Sequence, residues 1–180
     1  MCSSTIIMTA FAPFAQEISA GYGVGAFSTS YTLIIFQIVY IPLNFVANYL
    51  FDKNGILFPT IIASVLYIAG SWVRLLVWEN ENGFYWIMIG QTVAACGQPF
   101  MLQAPPKIAA TWFGDGERVL GTTIGALAGP VGCVIGFVMP VLFLTVEPDS
   151  SAKTVEEMKS YLIWQNGLVT LFALPIIFLI

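Results

Sequence analysis

Residues 28–78 read STSYTLIIFQIVYIPLNFVANYLFDKNGILFPTIIASVLYIAGSWVRLLVW, two long apolar runs split by the polar cluster Asp52-Lys53-Asn54-Gly55. A helix needs roughly 20 consecutive apolar residues to cross a hydrocarbon core of about 30 Å. Ser28 to Phe51 carries no charge, and Ile56 to Trp78 carries only Arg74. The cluster between them has helix-stop and turn chemistry. The stretch therefore predicts two membrane-crossing helices joined by a short turn. Arg74, near the end of its run, is expected to snorkel its charged head outward.

The same pattern extends along the chain. Gly83 to Ala104 is uncharged and is followed by Pro105-Pro106-Lys107; Val119 to Val146 is uncharged and follows Asp115-Gly116-Glu117-Arg118; Tyr161 to Ile180 is uncharged to the last residue. Met1 to Ala15 is mostly apolar until Gln16-Glu17. Either the first helix runs on to residue 26 with Glu17 at membrane depth, where an acidic residue costs about 2.5–3.5 kcal/mol on insertion scales, or its spanning part ends near Gln16 with its apolar run short. The final run has no flanking charge, and the chain is expected to be cut at both ends. The expected helices are 1–26, 28–51, 56–78, 83–105, 118–146 and 160–180. The fold class is all-α: a polytopic membrane protein with the lipid bilayer as its solvent.

Composition agrees. Hydrophobic residues make up 58% of the 180, charged residues 9%, and the mean hydropathy is +0.85; a soluble domain carries about 25% charged residues. The net charge of −4 excludes nucleic-acid binding, which needs a basic face. There is no histidine, so the commonest general base, metal ligand and haem ligand are missing together. Cys2, Cys96 and Cys133 form no ligand or redox spacing. Intramembrane hydrolysis needs paired acids, a Ser–His pair or a metal cluster at depth, and no such set is present; no cofactor is implied. Charge does not orient the chain. Lys53, Lys107 and Arg118 would share one side, Arg74, Lys153 and Lys159 the other, a tie under the positive-inside rule.

Polar residues within the apolar runs are the functional candidates, because intramembrane polar groups face protein or a watery cavity. Gln37, Tyr40, Asn44 and Asn48 recur at spacings of three and four and share one helical face. They line a cavity or hydrogen-bond between helices; the spacing allows either. Gln91 and Gln98 are two turns apart on one face, and Gln98 lies between Gly97 and Pro99. The missing proline N–H frees a backbone carbonyl, and freed backbone beside a polar side chain is a common way to build a membrane binding site. Gly121, Gly125 and Gly129, with Pro130, form a stripe at spacings of four, and Gly132 and Gly136 follow. Such stripes let neighbouring helices approach closely and can serve as a rocking surface.

Several of these residues carry a resemblance. Gly97-Gln98-Pro99-Phe100, Pro105 to Gly114 (Pro-Pro-Lys-Ile-Ala-Ala-Thr-Trp-Phe-Gly) and Glu117-Arg118 resemble the feline leukaemia virus subgroup C receptor family of major facilitator transporters. Tyr40 to Phe45 with Leu50 to Gly55 is similar to that family's second helix and following loop, Gly125 to Gly132 to the glycine-proline motif of helix five, and Phe11-Ala12-Pro13 to helix one. The resemblance covers essentially the whole chain. It implies the N-terminal six-helix bundle of a twelve-helix facilitator, with a C-terminal six-helix bundle as its partner, in the plasma membrane. It further implies cytosolic loops at Asp52 and Asp115. Helices one and four would line the cavity, two and five would meet the other half, and three and six would face lipid.

The activity implied is transport of a small-molecule substrate by alternating access, choline- or ethanolamine-like or haem-related. Gln98 matches the helix-four glutamine that contacts substrate. The tryptophan that choline-transporting members place in helix one falls at Met8. Substrate-binding candidates are thus Gln98, Met8, Gln91 and Asn44. Conformational candidates are Asp52 of the loop motif, Gly55, Arg118, Gly125, Gly129 and Pro130. The competing reading is a non-transporting, receptor-like or truncated membrane protein that acts through a partner.

Overall fold

The computed structural model describes residues 1–12, 26–75, 83–143 and 151–178. Among them are six helices and no strand: α1 Cys2–Thr9, α2 Ala26–Asn54, α3 Leu57–Val73, α4 Gly83–Trp112, α5 Arg118–Phe143 and α6 Ser151–Phe178. The chain is all-α, as its charge spacing demanded. Glu17, the acid that set the expected end of the first helix, lies outside the described residues.

The bundle buries polar side chains within its apolar core and is apolar outside. Ser64, Ser71, Arg74, Gln91, Gln165 and Asn166 are buried, whereas Ile41, Phe45, Val119, Leu120 and Leu142 lie open on the surface. Water would not tolerate that surface, but hydrocarbon or another helical bundle covers it at no cost. By length and composition two helices among the described residues are long and apolar enough to cross a membrane, Ser30–Asn54 and Arg118–Leu142, with mean hydropathies of 1.7 and 2.0. Apolar Leu57–Val73 is shorter. In α4 and α6 the inward-facing amides Gln91, Gln98, Gln165 and Asn166 dilute the hydropathy while leaving the outer face greasy.

Seven prolines interrupt four of these helices without ending them: Pro42 in α2, Pro99, Pro105 and Pro106 in α4, Pro130 and Pro140 in α5, and Pro175 in α6. A proline removes one i to i−4 bond, a loss that neighbouring helices can make good within a membrane. α4 runs on through Pro105-Pro106 to Trp112, because the Pro105 ring packs on α5 at Gly125, where an added Cβ would lie 2.9 Å from it. Gly55, with φ +74°, turns the chain sharply from α2 into α3 in the left-handed region that glycine alone enters freely.

Helix pairing follows an internal symmetry. α1 packs on α5 as α4 packs on α2, α3 packs on α4 as α6 packs on α1, and α3 meets α6. Two glycine crossings set the closest approaches. Between α3 and α4, a Cβ on Gly70 would lie 2.6 Å from Gly90 O, and one on Gly90 would lie 2.6 Å from Gly70 O. Between α1 and α5, Gly132 faces Thr5 and Cys2, and Gly136 faces Thr9 and Ile6. The close packing expected along Gly121, Gly125 and Gly129 is thus distributed differently. Gly121 meets the Phe113 ring, Gly125 meets Pro105, and a Cβ on Gly129 would have nothing nearer than Thr5 Cγ2 at 4.0 Å. α1 crosses α5 one turn beyond the expected stripe, so Gly132 and Gly136 carry the contact.

Gly90→Ala is expected to lower the melting temperature of the detergent-solubilised protein, since overpacking costs about 1–3 kcal/mol. Gly114→Ala, where an added methyl meets nothing within 4 Å, is expected to leave it unchanged. Identical melting of the two variants would contradict a backbone-to-backbone crossing of α3 and α4.

Candidate substrate site

The last turn of α1 and the middle of α4 bring two of the singled-out residues together. Gly97 seats α4 against α3, where a Cβ would lie 3.2 Å from both Ala63 O and the Tyr67 ring. One residue on, about 100° around the helix, Gln98 meets α1. Its Nε2 donates to the thioether of half-buried Met8 at 3.9 Å. Sulfur here can only accept, which sets the amide's direction: the N–H end is on Met8 and the carbonyl end points away. That carbonyl oxygen, Oε1, is buried and has no hydrogen-bond partner. Gln98 itself is 9% exposed. A buried acceptor without a donor costs about 1–3 kcal/mol, so the site holds a standing demand for an N–H or O–H group.

Gln91 stands in a different position. Its Nε2 donates to Ile7 O at 3.3 Å and to Thr32 O at 3.4 Å, and its Oε1 accepts from Arg74 Nη1 at 3.3 Å. It joins α4 to α1, α2 and α3, with both ends of its amide engaged by protein. Asn44 also bonds within the bundle: Gln103 Nε2 donates to its Oδ1 at 2.6 Å and to its backbone O at 3.3 Å. Of the polar face of α2, Asn44 makes an interhelical contact, while Gln37 and Asn48 are exposed. A cavity of about 200 Å³ lies nearby, lined by Met1, Ser64, Tyr67, Met101, Ala128 and Phe172 among others; neither Gln98 nor Met8 lines it.

At the far end of α4 the charged residues gather. Asp52 Oδ1 pairs with Lys107 Nζ at 2.5 Å, the side chains being 69% and 37% exposed. Lys53 Nζ donates to Tyr49 Oη at 3.3 Å. Arg118 pairs with Asp115 at 2.7 Å and its Nε donates to Phe113 O at 3.3 Å. Exposed pairs of this kind contribute about 0–1 kcal/mol, so they are easily exchanged for other partners. Gly55 lies in the turn between Asp52 and α3. Gly125 and Gly129 face Pro105 and Thr5, and Pro130 is exposed on α5.

Arg74 corrects the sequence reading. Rather than snorkelling outward it is 1% exposed, with its guanidinium on Gln91 Oε1 and 5.6 Å from the Phe11 ring centroid. Gly90 makes room for it: a Cβ there would lie 2.5 Å from Arg74 Cγ. Three further polar residues had gone unremarked. Gln103 holds Asn44, Gln165 Nε2 donates to Ile6 O at 2.9 Å, and Asn166 Nδ2 donates to Ser71 O at 2.9 Å. Adjacent amides at 165 and 166 in an apolar run were the available signal, since polar groups at depth face protein.

The Major Facilitator Superfamily model matches residues 1–180. A choline/ethanolamine transporter of Danio rerio, flvcr2b, is 32% identical over 123 residues, 68% of this chain and 25% of that protein. The choline/ethanolamine transporter FLVCR1 of Felis catus is 30% identical over 120 residues, 66% of this chain and 21% of that protein. Solute carrier family 49 member A3 of Xenopus tropicalis is 26% identical over 153 residues, 81% of this chain and 32% of that protein. The matched stretch spans about a quarter of the length of the choline/ethanolamine relatives. With its six-helix all-α bundle, apolar exterior and full-length family match, this chain is an integral membrane protein of the Major Facilitator Superfamily.

Proposed function

We propose that this chain forms the substrate-contacting half of a plasma-membrane transporter for a small ammonium alcohol of the choline/ethanolamine type, working by alternating access against a second six-helix bundle. The observation that carries the reading is the Gln98–Met8 contact, which leaves the buried Gln98 carbonyl without a donor. A hydroxyl or protonated amine supplies that donor, and the polarizable Met8 thioether lies beside a cationic head. The names of the relatives flvcr2b and FLVCR1 support the same substrate class.

Within this reading Gln91 positions rather than touches: it holds Ile7, the neighbour of Met8, at a fixed height on α4. Asn44 acts through Gln103 and fixes α2 to α4. Gly125, Gly129 and Pro130 allow α5 to rock against its neighbours. Asp52, Gly55 and Arg118 form the conformational latch, Asp52 exchanging Lys107 for a partner on the second bundle as the cavity alternates. A pair this exposed releases without a large barrier.

Radiotracer uptake in cells expressing the complete transporter tests the site. Gln98→Ala is expected to lower kcat/KM for substrate roughly ten- to hundredfold, the loss of a hydrogen bond to a charged ligand being about 1.5–3 kcal/mol. Surface expression should stay intact. Undiminished uptake would remove Gln98 from the site and, with it, the basis of the proposal.

Met8→Trp adds an aromatic face, worth about 0.5–2 kcal/mol to a cation. Choline uptake should then rise by roughly two- to thirtyfold relative to ethanolamine. An unaltered ratio would mean that Met8 does not contact the ammonium head.

A further inference from the structure

Arg74 presents a buried charge that the transport site does not use. Its guanidinium is fully enclosed at the end of α3, and only one of its nitrogens has an oxygen partner, Nη1 on Gln91 Oε1 at 3.3 Å. Nε and Nη2 are buried with no hydrogen-bond partner. The Phe11 ring, 5.6 Å from the guanidinium carbon, covers one face of the group but accepts no N–H bond in the guanidinium plane. Gln91 gives them no acceptor: its Oε1 is on Nη1, and its amide nitrogen donates to Ile7 O and Thr32 O.

A cation in an apolar interior is tolerated only when paired and hydrogen-bonded. The two ion pairs found among the described residues, Lys107–Asp52 and Arg118–Asp115, sit at the opposite end of the bundle. What is left open on Arg74 is the Nε–Nη2 edge, the side of the planar fork that takes both oxygens of a carboxylate or a single halide. The enclosure is built rather than accidental. Gly90 clears space for the stem, and the Gln91 oxygen anchors Nη1 so that the other edge is presented in a fixed direction.

We infer that Arg74, oriented by Gln91 and covered by Phe11, is an anion seat within the bundle, one that holds a small monoanion by its Nε–Nη2 edge. The occupant this edge fits is a small solution anion such as chloride. The seat is separate from Gln98, so it stands or falls independently of the transport proposal.

The test uses the complete transporter in lipid nanodiscs, its melting temperature read at constant ionic strength with chloride replaced stepwise by gluconate. The wild-type melting temperature is expected to rise saturably with chloride, Arg74→Met to abolish the dependence and Arg74→Lys to weaken it. Should Arg74→Met not fold, the wild-type chloride titration and Arg74→Lys decide. Anion-independent melting of the wild-type protein overturns the inference.

Discussion

The bundle depends on how the last turn of α1 is held. Three side chains from two other helices reach its carbonyls: Gln165 to Ile6 O at 2.9 Å, Gln91 to Ile7 O at 3.3 Å and Tyr161 to Ala10 O at 3.5 Å. The final carbonyls of a helix have no partners of their own, and in hydrocarbon each unmet backbone group costs several kcal/mol. α1 is only eight residues long and could not hold its place by propensity. Its register against α4 and α6 is set by these bonds, and Met8 faces Gln98 because Ile7 is bound to Gln91 one residue earlier.

Small residues make those bonds reachable. Helices in a bilayer gain little from hiding apolar surface, since lipid is as apolar as leucine; close packing and hydrogen bonds must hold them together. Gly70 and Gly90 let the backbones of α3 and α4 touch, and Gly132 and Gly136 do the same for α5 and α1. The first crossing brings the Arg74 stem over Gly90 and turns its charge inward. The second brings Thr5 and Thr9 onto α5 with their hydroxyls already bonded to α1 carbonyls at 3.0 and 2.7 Å, so the interface buries no free donor. Glycine geometry and polar satisfaction are therefore one design, with neither sufficient alone.

The two glutamines of α4 differ in what they leave unbonded. Both are buried on similar helical faces, two turns apart. Gln91 is satisfied at both ends of its amide and rigidifies four helices. Gln98 is satisfied at one end, by the weakest acceptor available, and keeps a bare carbonyl. A fully bonded amide has nothing left to offer a ligand, whereas a half-bonded one has been kept ready at a cost to stability. Under the proposed transport reading, that demand is met transiently by substrate and not permanently by protein.

The amino-acid sequence by itself determined the class of the molecule. Apolar runs longer than a bilayer is thick, divided by short charged clusters, leave a chain no stable option but a bundle of membrane helices, and the Gln98-to-Gly114 stretch carried the family. It also determined which residues were worth asking about, because an amide or arginine among aliphatics is visible without coordinates. Only the tertiary structure decided what each of them meets. Helical periodicity gives the direction of a side chain relative to its own axis, but its partner depends on where another helix crosses, and that is set by residues far away in the chain. Hence Gln91 and Gln98, on one helical face, meet different partners, Asn44 found Gln103, and Arg74, which length and position alone would send toward water, turns inward over Gly90. The reason is physical and simple: in a medium that offers no hydrogen bonds, a polar group goes to whichever partner the packing brings within about 3 Å, and packing is a property of the whole fold.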